Sequence, residues 1–159
     1  MTPRRSIATL VLAVLLCLSI GMLGSIATTT SIGTWYPQIE KPVWTPPAVV
    51  FGPAWTVLYV LMGVSLWMVW RDGAGRPRLN AMALFAVQLL LNAAWSFIFF
   101  GMRSPGWALL EIVLLWVAIA ATIAAFARIR PWAAALLVPY LLWVTFAAAL
   151  NLAIWRLNS

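Results

Sequence analysis

The chain of 159 residues contains no histidine, a single cysteine, Cys17, and only three acidic residues, Glu40, Asp72 and Glu111. These absences exclude a good deal of chemistry. No spacing of His, Cys and carboxylate can build a tetrahedral or two-metal site. Ser/His and Cys/His nucleophile pairs are missing, and so is the usual axial ligand of a haem protein. An intramolecular disulfide is impossible. No catalytic residue or metal ligand is therefore assigned, and no cofactor is required.

Charge of either sign is scarce as well, at 8% of residues, against 65% hydrophobic residues and a mean hydropathy of +1.00. That composition is an integral membrane protein's. The net charge of +7 comes from arginines placed singly or in small clusters between apolar runs. There they set membrane orientation and meet anionic head groups rather than nucleic acid.

The apolar runs divide the chain into five expected spans, at about residues 6–27, 47–70, 79–101, 107–127 and 132–155. Each meets the ~20 residues that a helix needs to cross a bilayer. The fold class is thus all-α, a polytopic bundle of five transmembrane helices forming one domain over residues 1–159. The first run is longer than the ~7–15 apolar residues of a signal peptide, and Leu16 is too large for a lipoprotein cleavage site before Cys17, so an uncleaved helix is expected. Ala13, Cys17, Gly21 and Ser25 form a strip of small residues on it, suited to close packing within the bundle or to a homodimer face. Thr28 to Thr34 reads as a connection, Thr45 as a helix cap with Pro46 in the first helical position, and Arg71 to Arg78 as a polar turn.

Seven of the ten basic residues, Arg4, Arg5, Arg71, Arg76, Arg78, Arg128 and Arg130, fall on the amino-terminal side; Lys41, Arg103 and Arg156 fall on the other. The first side is expected to be cytoplasmic, with the loop of residues 28–46 facing outward. At ~1.5 Å per residue, Trp55 and Tyr59 lie in the loop half of helix two, Asn92 and Trp95 in that of helix three, Trp107 and Glu111 in that of helix four, and Ala147 and Asn151 in that of helix five. Gln88 and Trp143 lie near the middle. Phe51, Trp55, Tyr59 and Met62 share one helix face, Gln88, Asn92, Trp95 and Phe99 another, and Trp143, Ala147 and Asn151 a third. Polar and flat aromatic groups thus converge beneath the loop, as in a ligand pocket. The blander alternatives are an interfacial belt for Trp70, Trp132 and Trp155, and interhelical ties for Asn92 and Asn151. Glu111 is either neutral or paired with Arg103. Glu40 and Lys41 look like loop fastenings.

The chain resembles the translocator protein family, also called tryptophan-rich sensory proteins or peripheral-type benzodiazepine receptors. The resemblance covers nearly all of it and rests on WY-x4-KP-x-W-x-PP at Trp35 to Pro47, F-x-P-x-W-x2-LY at Phe51 to Tyr59, Q-x3-N-x2-W-x3-FFG at Gln88 to Gly101, GWAL at Gly106 to Leu109, and PYL-x-W-x2-FA-x2-LN-x3-WR at Pro139 to Arg156. It implies a five-helix bundle, often a homodimer, in which the loop closes a pocket for porphyrins such as protoporphyrin IX and for isoquinoline carboxamide or benzodiazepine-type ligands. By residue matching, Trp55, Asn92 and Trp143 take the main pocket positions, with Trp95, Trp107, Ala147 and Leu150 lining it. Leu152 stands where the animal members' sterol motif has Tyr, which argues against cholesterol and for a bacterial cell membrane.

The resulting expectation is a membrane receptor or carrier with a sensory or transport role in tetrapyrrole or stress physiology. The ligand would be stacked on Trp55 and Trp143 and oriented by Asn92. Phe51, Tyr59 and Gln88 would complete the walls, and Trp35, Lys41, Pro42, Trp44, Pro46 and Pro47 the lid. Two other classes stay open: a light- and oxygen-dependent porphyrin-degrading enzyme, and a scaffold protein acting through helix one.

Overall fold

The computed structural model describes residues 3–159, with side chains from residue 6 onward; the side chains of Arg4 and Arg5 lie outside the described residues. The chain folds as α1 (Pro3–Ile32), α2 (Ala48–Asp72), α3 (Gly75–Ser96) extended by a π turn (Phe97–Gly101), α4 (Pro105–Ala127) and α5 (Pro131–Leu157). Each helix is long and apolar enough to cross a membrane, so the protein is a multi-pass integral membrane protein. The helices form a ring: α1 packs on α2, α2 on α5, α5 on α4, α4 on α3, and α3 with its π turn back on α1. Tyr140, Phe126, Met62, Leu115 and Leu137 fill the centre with essentially no exposure.

Three boundaries differ from the sequence reading, each for a visible reason. Helix α1 continues through Thr28, Thr29 and Thr30 because each hydroxyl donates to a carbonyl one turn back, on Gly24, Ile26 and Ala27. That bonding leaves the backbone ladder intact. Ser31 then donates to the Phe100 carbonyl at 2.7 Å, tying the end of α1 to the π turn. Thr45 does not cap α2; its hydroxyl is spent on the Pro42 carbonyl at 2.7 Å, and the helix starts after Pro47. The polar turn shrinks because Gly75, at φ +57°, already opens α3.

Helices α1 and α2 are clamped tightly in their amino-terminal-side halves. Gly63 meets the Val14 backbone so closely that a Cβ would collide with it, and the Trp67 indole donates to the Ser6 carbonyl at 3.0 Å. Toward the loop end the two helices part. At the opposite end of the bundle Asp72 joins Arg71 at 2.7 Å and Arg130 at 3.5 Å, linking the α2–α3 and α4–α5 turns.

Candidate functional site

The parting of α1 and α2 encloses a cavity of about 610 Å³ in the loop half of the bundle. Its walls are Phe51, Trp55 and Tyr59 from α2, Trp95 from α3, Phe99 and Phe100 from the π turn, and Trp143, Ala147 and Leu150 from α5. A five-residue repeat in the backbone hydrogen bonds, with Met102 N–H donating to Phe97 O at 2.8 Å, swings Phe99 and Phe100 to ring centroids 4.8 Å apart. The π turn thus aims two adjacent rings at the cavity, as such insertions often do at functional sites.

Helix α1 supplies the remaining wall through Leu18, Gly21, Gly24, Ser25, Thr28 and Ile32. The middle of the small-residue strip therefore faces inward, with Cys17 fully buried and Gly21 pressed against the Tyr59 ring. Sequence reasoning saw the strip but did not place it in the site; its signal was an unbroken line of small residues beside bulky aromatics on α2. Exposed Met22 and Ser25 of α1 face exposed Gly52 and Thr56 of α2 around the same cavity, which makes the seam between these helices its side opening.

The aromatic geometry is a corner. Trp55 stacks on Tyr59 at 5.6 Å and 28°, whereas Trp55 and Trp143 stand at 84° to one another, 6.4 Å apart, and Phe51 meets Trp143 edge-on at 5.9 Å. Two indoles at right angles cannot both lie flat on one planar molecule. One offers a face and the other an edge, in place of the double stack read from sequence.

Asn92 and Gln88 are buried behind the wall rather than in it. The Tyr59 hydroxyl donates to Asn92 Oδ1 at 2.5 Å, and Asn92 Nδ2 donates to the Tyr140 hydroxyl at 3.0 Å. This chain joins α2, α3 and α5 beneath the cavity floor. Asn151, which itself lines the cavity, ties α5 to α3 and α4 higher up, accepting from Trp95 Nε1 at 3.1 Å and donating to the Pro105 carbonyl at 2.7 Å. Trp107 is outside altogether: its position on α4 turns it to the bundle's outer surface, 66% exposed. Glu111 is buried and makes no ion pair with Arg103. Trp70, Trp132 and Trp155 are exposed at span ends, as in an interfacial belt.

Of the loop, Tyr36 alone lines the cavity, a residue passed over in favour of its neighbours. Burial holds its phenol above the usual tyrosine pKa. Trp35 packs edge-on against Phe99 at 5.8 Å and Trp44 against Phe146 at 5.9 Å, so both cover the bundle's end without entering. Lys41 Nζ donates to the Tyr36 and Ile39 carbonyls, both at 2.7 Å, and lies 4.9 Å from the Tyr36 ring centre. Asn158, beyond α5, pairs with the Glu40 backbone, accepting from its N–H at 3.0 Å and donating to its carbonyl at 2.9 Å. Glu40 and Lys41 thus fasten the loop without pairing with each other. Pro42, Pro46 and Pro47 lie in the same loop, outside the cavity lining.

A profile of the TspO/MBR family matches residues 13–156. The chain belongs to that family. It is 46% identical over 155 residues to the tryptophan-rich protein TspO of Chlorobaculum tepidum, covering 97% of this chain and 98% of that one. It is 44% identical over 126 residues to the translocator protein of Homo sapiens (78% and 75% covered), and 42% identical over 125 residues to the tryptophan-rich sensory protein of Cereibacter sphaeroides (78% and 77%). The matched region includes the whole of the cavity's α2, α3 and α5 walls. Among the described residues no group of His, Cys, Asp and Glu could hold a metal ion. The site's resources are flat aromatic surface and a few neutral donors.

Proposed function

We propose that the cavity binds a planar, largely apolar tetrapyrrole such as protoporphyrin IX, and that the protein serves as its membrane receptor or carrier. The observation that carries this reading is the right-angled pair Trp55 and Trp143 in a cavity of about 610 Å³, within the ~300–1,000 Å³ usual for small-molecule sites. The macrocycle lies on one indole face and abuts the other's edge. Trp143 Nε1 is buried without an acceptor among the described residues, and an oxygen or ring nitrogen of the ligand would supply one. The lining is uncharged, so propionate groups lie at the opening, where water and head groups solvate them. Isoquinoline carboxamide and benzodiazepine-type molecules, also flat and with few acceptors, suit the same walls.

The test is titration of protoporphyrin IX into the detergent-solubilised protein, read by quenching of tryptophan fluorescence. Replacing Trp55 and Trp143 together by Phe, which keeps the packing volume nearly filled, is expected to weaken binding at least tenfold. Unchanged titration of the folded double variant would reject the assignment.

A further inference from the structure

A second recess, of about 520 Å³, lies at the loop end of the bundle but on its outer surface, between the α3–α4 turn and the last turns of α5. It is lined by Arg103, Ser104, Gly106, Trp107, Leu110 and Trp155 and is separate from the tetrapyrrole cavity. Arg103 is exposed and makes no hydrogen bond or ion pair among the described residues. Its backbone sits at φ 52°, a left-handed conformation that is strained for a non-glycine residue. A glycine would make the same turn at no such cost, so what arginine adds at this position is its guanidinium.

The neighbouring donors are also free. Trp107 is 66% and Trp155 43% exposed, and neither indole N–H reaches an acceptor among the described residues. Gly106 keeps the recess open beside them: a Cβ there would lie 3.0 Å from Trp155 Nε1. Below the recess the outer face of α4 continues as Leu110, Val113, Leu114 and Val117, each at least half exposed. Their helical spacing makes one apolar track running from the recess toward the middle of the span.

A cation and two N–H donors at a membrane border, continuous with an apolar track, complement an amphiphile with an anionic head. A soluble anion would use only the upper part. A zwitterionic head would bring a second positive charge beside Arg103, with which no carboxylate among the described residues pairs. We propose that this recess binds one anionic glycerophospholipid, its phosphate against Arg103 and the indole N–H groups of Trp107 and Trp155, its acyl chains along Leu110, Leu114 and Val117.

Native mass spectrometry of the full chain released from micelles containing phosphatidylglycerol or phosphatidylcholine tests this. The wild type is expected to keep one phosphatidylglycerol under activation that strips phosphatidylcholine. Arg103→Gly suits the left-handed turn and so preserves the fold, as its melting temperature would confirm; it should lower the retained phosphatidylglycerol about tenfold, the loss of a charge-assisted hydrogen bond. Arg156→Gln, at the same end but outside the recess, should leave retention unchanged. Equal retention by Arg103→Gly and wild type would overturn the proposal. An equal loss in Arg156→Gln would do so too, because it would indicate general surface charge. Displacement by millimolar inorganic phosphate would also overturn it, pointing to a soluble anion.

Discussion

The hydroxyl of Tyr59 donates to Oδ1 of Asn92 across 2.5 Å, and this places the phenol, not the amide, on the cavity side. Asn92 acts on the site from behind, holding Tyr59 on one side and Tyr140 on the other. Asn92→Ala leaves both buried hydroxyls without their partner, at about 1–3 kcal/mol for such a group. The expected result is a clear fall in melting temperature, together with weaker protoporphyrin binding that matches the effect expected of Tyr59→Phe. An Asn92 that contacted the ligand directly would instead show weaker binding at unchanged stability.

Glycine positions separate tight packing from open space. A Cβ at Gly21 would run into the Tyr59 ring, which is held in place by its stack on Trp55 and its bond to Asn92. Gly21→Ala is therefore expected to cost about 1–3 kcal/mol through overpacking and to weaken ligand binding by moving Tyr59. Gly63→Ala, against the Val14 backbone, should cost at least as much, because main chain yields less readily than a side chain. Gly52, with nothing within 4 Å of an added Cβ, should accept Ala at no loss or a small gain in stability. Thermal unfolding of the three variants in one detergent gives the ranking.

The loop is fastened to the end of α5 by one side chain, across 118 residues of sequence. Asn158 makes two hydrogen bonds to Glu40, and each is worth at most about 0.5–1.5 kcal/mol in a folded protein, less where water competes. Asn158→Ala should accelerate ligand association and dissociation together, each several-fold, and leave the equilibrium constant nearly unchanged. Glu40→Ala should not, because its backbone supplies both contacts. Stopped-flow fluorescence distinguishes these outcomes, and identical rates in Asn158→Ala and wild type would show that the loop does not gate entry.

The five spans were legible because membrane crossing imposes a length and a polarity that single residues rarely disturb. Depth was legible too: counting along alternating helices put Trp55 and Trp95 in the loop half of the bundle, with Trp143 near its middle. What depth cannot supply is rotation about each helix axis. Trp107 shares the level of the cavity yet points away from it, and Asn92 is at the right level but one residue layer too far back. Gly21 and Ser25 had the reverse problem, since a gap left by small residues suits an approaching helix as well as a ligand. Residues Thr28 to Thr30 misled through their weak intrinsic helix propensity, which hydroxyl-to-carbonyl bonds offset inside α1.

Glu111 and Gln88 are 7% and 1% exposed, and no side-chain oxygen or nitrogen of either has a hydrogen-bond partner among the described residues. An unpaired buried amide costs about 1–3 kcal/mol and a carboxyl group more, whereas an apolar side chain of similar volume fills the same space without that penalty. Gln88→Met and Glu111→Leu are thus each expected to raise the melting temperature, Glu111→Leu by more, while Glu111→Gln, which keeps a polar group in place, should gain less than Glu111→Leu. Neither side chain lines the cavity, so protoporphyrin affinity should stay within about twofold of wild type. A loss of binding in Glu111→Leu at raised stability would assign that carboxyl group a role in ligand uptake that its position behind the wall does not provide.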